Sequence, residues 1–221
     1  MRLGFLFLFT IVAGRAWAQD PVDIGVIKES DIVVVQKLLY PKAGRTEFGL
    51  YAGVMPWDVY TLTPTVQVSL DLHRTEDFSL GAVVGVGYGF KSHAYRELET
   101  QHGVAPYAFR YLGSALAGVG WAPIYAKMNL NGARIMHFDV FANARAGITF
   151  EQSMIPEGGS PLSPTLSAAV GTRIFLGDFT TLRVELRDDL LLQRRRLTSS
   201  FGLNQNAMVL VGLTALTGGK Q

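Results

Sequence analysis

The sequence predicts an all-β protein: an eight-stranded antiparallel transmembrane β-barrel of the outer-membrane type, with a short N-terminal periplasmic segment. Three observations lead there. The chain opens on an export signal, then alternates apolar and polar residues with period two in eight stretches, and the connections between those stretches alternate short and long.

The export signal comes first. Arg2 supplies a positive charge, residues 3–12 are apolar apart from Gly4 and Thr10, and Ala16-Trp17-Ala18 places small residues at the −3 and −1 positions of a cleavage site before Gln19. Residues 1–18 therefore read as a secretory signal peptide, too short and wrongly flanked for a stop-transfer helix. Gln19, rather than a cysteine, in the first mature position points away from a lipoprotein anchor. The chain carries 20 Lys+Arg against 18 Asp+Glu, and Arg2 and Arg15 leave with the signal, so the mature protein is formally neutral. Its charge gives no case for nucleic-acid binding. With no cysteine anywhere, an exported chain must rely on backbone pairing and burial instead of disulfides. Hydrophobic residues make up 48% of the chain, yet no later run approaches the roughly 18 apolar residues of a membrane helix. That leaves a soluble all-β domain or a closed barrel whose apolar face meets lipid.

The strands follow in order. In 45–54, Phe48, Leu50, Ala52 and Val54 alternate with Arg45, Glu47, Gly49 and Tyr51. In 64–72, Val66, Val68, Leu70 and Leu72 alternate with Gln67, Ser69 and Asp71, and in 78–90 Leu80, Ala82, Val84, Val86, Tyr88 and Phe90 oppose Ser79, Gly81, Gly85, Gly87 and Gly89. A fourth strand, 111–129, is interrupted by Pro123, which marks a bulge or an edge. Four more alternating stretches occupy 134–149, 165–174, 182–192 and 209–215, with Asp188 breaking the apolar face of the seventh. Connections 73–77, 130–133 and 177–180 read as tight turns, whereas 91–110, 151–163 and 194–204 read as long polar loops. Short turns on one rim and long loops on the other favour an outer-membrane barrel over a soluble sandwich. The barrel is expected over residues 44–217, preceded by a periplasmic segment, 19–43, that forms either a short strand or helix at the rim or an exposed docking piece. Its apolar residues Ile32, Val33, Val34, Val35, Leu38, Leu39 and Tyr40 are candidate contacts for an envelope partner.

If the apolar faces meet lipid, Arg45, Glu47, Asp71, Lys127, His137, Asp139, Arg145, Arg173, Arg183, Glu185, Arg187 and Asp189 point into the lumen. Eight strands enclose only enough space for side chains, so these charges are expected to pair and fill the barrel. The rival to that filled lumen is a narrow channel. A further rival is a lipid-modifying enzyme with His137 as base and Asp139 orienting it, but no serine partners them and no Gly-x-Ser-x-Gly elbow is present. His73, His93 and His102 fall in a turn and a loop without ligand spacing, so neither metal nor cofactor is expected. Gly85-x-Gly87-x-Gly89 sits in a strand with no helix after it and reads as relief of crowding rather than a phosphate loop. Lys91, Arg96, Arg110, Arg194, Arg195 and Arg196 are candidates to contact lipopolysaccharide phosphates if their loops share a rim.

Val33-Val34-Val35-Gln36-Lys37-Leu38-Leu39-Tyr40-Pro41-Lys42-Ala43-Gly44-Arg45, together with Trp121-Ala122-Pro123-Ile124-Tyr125-Ala126-Lys127 and His137-Phe138-Asp139, resembles the outer-membrane β-barrel family abundant in myxobacteria and related deltaproteobacteria. The resemblance covers nearly the whole mature chain. It implies a barrel in the outer membrane, in contact with its lipids and lipopolysaccharide. It says little of activity, although some related barrels belong to trans-envelope gliding machinery. The C-terminal residues 215–221 lack the terminal aromatic typical of barrels recognised for assembly.

Overall fold

The computed structural model describes residues 39–130, 134–155, 162–195 and 200–218. Residues 1–18, read above as a signal peptide, residues 19–38 of the N-terminal segment and Arg196 lie outside the described residues, as do the side chains of Arg194 and Arg195. Among the described residues nine strands and one helix follow in order: β1 (Thr46–Met55), β2 (Thr61–His73), β3 (Phe78–Gly87), β4 (Phe90–Lys91), α1 (His93–His102), β5 (Phe109–Leu130), β6 (Arg134–Ser153), β7 (Leu162–Phe175), β8 (Thr180–Arg195) and β9 (Ser200–Thr217). Each long strand pairs antiparallel with its neighbours, and β1 pairs with both β2 and β9. Eight strands thus close into a ring, while the two-residue β4 adds only to the end of β2.

The register fixes the shape of the ring. Thr46 pairs with Leu72, and the partners then run through Leu80, Val119, Ala144, Ala168 and Asp188 to Ala207. On its other side Thr46 pairs directly with Thr217, ten residues from Ala207. A stagger of that size over eight strands implies a strand tilt of about 40°, and the interior is then just wide enough for side chains.

Period two decides what each side chain meets. On β2 every second residue from Leu62 to Leu72 is exposed, whereas Thr61, Thr63, Thr65, Gln67, Ser69, Asp71 and His73 are buried. The distribution is inverted relative to a soluble barrel: valine, leucine and alanine cover the outside, and polar groups fill the inside. Exposed aromatics ring the wall at two levels. Phe48, Phe78, Trp121 and Phe179 stand near the short turns, and Trp57, Tyr88, Phe90 and Phe150 near the long connections. The ten steps along the chain from Phe78 to Tyr88, at about 3.3 Å each and a tilt near 40°, separate the girdles by about 25 Å, the height of a hydrocarbon band.

Pro123 marks a bulge, as its place in an alternating strand implies. The β5–β6 register shifts between Trp121 and Ile124, so both of these residues point outward. Three expectations about connections need correction. Residues 91–110 are not a plain polar loop: Ser92 caps α1, accepting from the Tyr95 N–H, and Gly103 ends it with φ 62°, a left-handed cap that a glycine adopts freely. Residues 151–163 and 194–204 are shorter loops than expected, because β6 continues to Ser153, β8 to Arg195, and β9 starts at Ser200. Backbone pairing carries those strands past the point where apolar alternation fades.

The two hairpins with the longest strands protrude from opposite rims. β5–β6 extends past the ends of β3 and β7 on the short-turn rim, and β8–β9 extends past the end of β1 on the other. The inverted wall gives a direct test. Val84, exposed between the girdles, should tolerate leucine, whereas Val84→Arg should destabilise the folded barrel by about 2–4 kcal/mol, read from denaturant unfolding in lipid vesicles.

Candidate functional site

The polar interior is the candidate site. Among the described residues six cationic side chains are buried there, Lys42, Arg45, Arg145, Arg173, Arg183 and Arg187, against six carboxylates, Glu47, Asp71, Asp139, Glu151, Glu185 and Asp189. Alternation delivers them: the inward positions of β1, β2, β6, β7 and β8 each bring at least one charge to the axis.

Glu47 sits at the hub, with no exposed surface. Its carboxylate accepts from Thr214 Oγ1 at 2.6 Å and lies 2.7 Å from His73 Nε2, 3.0 Å from Arg173 Nη2 and 3.4 Å from Arg183 Nη1. Arg173 also donates to Asp139 Oδ2 at 3.0 Å, and Arg183 donates to Asp71 Oδ2 at 3.0 Å while its guanidinium lies 4.2 Å from the Phe141 ring centroid. Glu185 bridges Arg145 (3.5 Å), Arg183 (3.5 Å) and Arg187 (3.3 Å). Arg187 in turn donates to Gln67 Oε1. Small residues make room for these groups: a Cβ at Gly81 would run into the Asp71 carboxylate. Glu151 lies apart toward the far end, accepting from Gln193 at 2.7 Å and Ser163 at 3.0 Å. Neither oxygen of Asp189 has a hydrogen-bond partner among the described residues.

An apolar layer lies on the long-connection side of this network, where Tyr51, Met55, Tyr111, Met208 and Leu210 meet inside the ring. The void lined by Tyr51, Ser69, Val83, Arg145 and Leu210 admits no water molecule.

At the short-turn mouth the chain preceding β1 closes the barrel. Lys42 Nζ reaches Asp139 Oδ2 at 2.5 Å, and the Lys42 and Ala43 N–H groups donate to Glu76 at 2.8 and 3.0 Å. Arg45 donates to the Leu216 carbonyl at 3.0 Å. Tyr40 stacks on Phe175 with ring centroids 5.1 Å apart and meets His137 edge-on at 5.4 Å, while Leu39 is exposed.

Ten of the twelve residues expected in the lumen are therefore buried inside it: Arg45, Glu47, Asp71, Asp139, Arg145, Arg173, Arg183, Glu185, Arg187 and Asp189. The other two are not. Lys127 is exposed, because it stands six residues beyond Trp121, where the pairing of β5 with β3 ends. His137 is half-buried at the mouth, with Nδ1 3.0 Å from Tyr125 Oη. Asp139 is taken by Lys42 and Arg173, so the His137–Asp139 dyad that an enzyme would need does not form. Lys42, His73 and Glu151 join the interior although their positions read as segment, turn and loop. Of the candidate lipopolysaccharide contacts, Lys91 pairs with Glu99 at 2.7 Å, and Arg110 lies 4.3 Å over Tyr88 and donates to its hydroxyl. Arg96 is exposed and donates to the Lys91 carbonyl at 3.3 Å. Ile32, Val33, Val34, Val35 and Leu38 fall outside the described residues.

No family model and no curated protein matches the chain. Among solved structures it is similar to a de novo designed transmembrane β-barrel, at 14% identity over 81% of this chain and 100% of that one, with a TM-score of 0.37. It is similar to Neisserial surface protein A at 9% identity, over 77% of this chain and 94% of that one, TM-score 0.47. It is also similar to Ail, the attachment invasion locus protein of Yersinia pestis, at 12% identity, over 78% of this chain and 97% of that one, TM-score 0.42.

Removing the hub should expose how tightly the charges depend on one another. Glu47→Ala removes the buried carboxylate that Arg173, Arg183 and His73 share and should cost about 3–5 kcal/mol of unfolding free energy. Lys91→Ala, which breaks an exposed pair, should change stability by less than about 1 kcal/mol in the same titration.

Proposed function

We propose that this protein is an integral β-barrel of a bacterial outer membrane whose filled interior makes it a structural and interaction component of the envelope rather than a pore. One observation carries the reading: six cations and six carboxylates are buried inside a closed ring whose outside is apolar between two aromatic girdles. An apolar belt of that height is stable against lipid and unstable in water. A balanced, hydrogen-bonded interior leaves no continuous path for ions, and the apolar layer of Tyr51, Met55, Tyr111, Met208 and Leu210 closes the axis a second time. The termini of the ring lie on the short-turn rim, which in such barrels faces the periplasm. What the protein presents to partners is then its two rims, with α1 and the other long connections outside the cell.

Two measurements test this. The purified protein in a planar bilayer should show no steady conductance, and an ohmic pore in the unmodified protein would favour the channel reading. A cysteine replacing Val104 in the α1 connection should react with an impermeant maleimide on intact cells, whereas one replacing Arg74 in the β2–β3 turn should react only after the outer membrane is breached. The reverse pattern would invert the orientation.

A further inference from the structure

The strap that crosses the short-turn mouth is held in the way a bound peptide is held. Residues 39–45 belong to no strand. They turn back where the Arg45 N–H donates to the Lys42 carbonyl at 2.9 Å, around Gly44 with φ 73°. Upstream of that turn the side chains alternate, so Tyr40 and Lys42 enter the mouth and Pro41 between them is exposed. Tyr40 lies on an aromatic seat to which three neighbouring strands supply one ring each: Tyr125 of β5, His137 of β6 and Phe175 of β7. The Tyr125 ring is 5.8 Å from both of the others. Glu76 accepts from two successive backbone N–H groups, those of Lys42 and Ala43, a contact that any residue except proline supplies.

The acid at the bottom of this seat is incompletely used. Asp139 has no exposed surface, and its Oδ2 takes both Lys42 Nζ and Arg173 Nη1. Its Oδ1 has no hydrogen-bond partner among the described residues. A buried carboxylate oxygen without a donor is costly. A guanidinium offers two parallel N–H groups matched to both oxygens of a carboxylate, whereas an ammonium acts as a point charge. Lys42 therefore satisfies Asp139 less well than an arginine would.

We propose that the short-turn mouth is a binding site for an extended segment of a periplasmic partner bearing an aromatic residue and, two residues on, an arginine, and that Tyr40-Pro41-Lys42 is the chain's own weaker occupant, which such a segment displaces. That the partner is periplasmic rests on the outer-membrane reading above; the chemistry of the seat does not. Charge restricts the occupant. Six cations balance six carboxylates in the interior, so whatever replaces Lys42 must bring one positive charge, which disfavours acidic and neutral segments. Release of the strap leaves no carboxylate stranded: Asp139 keeps Arg173, the ring stays closed through β1 and β9, and the buried Lys42 ammonium regains water. The strap is tethered and competes at an effective concentration of the order of millimolar. The second donor to Asp139 is what lets a free segment overcome that advantage.

A fluorescein-labelled Tyr-Pro-Arg-Ala peptide, titrated by fluorescence anisotropy against the full-length protein in detergent micelles, tests this. Lys42→Ala removes the competing charge, so the peptide should bind that variant about tenfold tighter than the unmodified protein. A peptide with lysine in place of arginine should bind more weakly, and one with glutamine should not bind. Adding Asp139→Asn to Lys42→Ala should abolish binding. Heat-modifiable gel migration checks that each barrel is folded. Tyr40→Ala, which loosens the strap without removing a charge, provides a second background in which affinity should rise. No gain in affinity on either strap variant, or equal affinity for the glutamine peptide, would overturn the proposal. These measurements are made in micelles and stand apart from the membrane reading; absence of the unmodified protein from the outer-membrane fraction would overturn that reading and the periplasmic address of the partner with it.

Discussion

The pairing of β1 with β9 is the constraint on which the rest of the structure depends. Once the first and last strands hydrogen-bond, no edge remains between them, and the number of strands and their stagger set the width of the interior. Every second residue must then fit a cylinder of fixed bore. Where Tyr51, Asp71 and Gln67 take the space, glycine stands opposite at Gly212, Gly81 and Gly85.

The same closure explains why the charges are balanced. A carboxylate or guanidinium sealed inside the ring loses its water, and only opposite charges and hydrogen bonds from neighbouring strands can offset that cost. A buried ion pair is seldom worth more than apolar packing of the same volume, so the network is poor evidence of high stability. What it provides is mutual dependence: Glu47 draws on β2, β7, β8 and β9 at once, so a slip of one strand would leave several charges unmatched. In this barrel the interior ties the strands to one register, and the outside is free to be uniformly apolar.

Much of this was legible in the sequence, because period two is a direct imprint of a two-sided wall. The eight strands, the inverted faces and the bulge at Pro123 all follow from that alternation, and so does the placement of ten lumen charges. The rest depends on where strands end, which alternation does not mark. Glu151 looks like part of a polar loop because Glu151, Gln152 and Ser153 are hydrophilic in a row, yet β6 continues through them inside the polar bore. Lys127 fails in the opposite sense: its parity is right, but it stands beyond Trp121, where β5 has lost its β3 partner. Lys42 joins the lumen by folding back over the mouth, a tertiary event without a local signal. The α1 helix did carry a signal, Ser92 and Gly103 bracketing ten residues, but a strand-by-strand reading passes over it.

The opposed hairpins give the molecule a direction within the plane of the membrane. The upper rim rises at β8–β9 and the lower rim descends at β5–β6, so neither rim is level all the way round. A neighbour reaching it from outside the cell would meet the β8–β9 hairpin, and one reaching it from the periplasm the β5–β6 hairpin, which belong to different strands of the ring. Rotation about the membrane normal is therefore not neutral for this protein. An assembly that touches both rims must fix the barrel's heading as well as its depth.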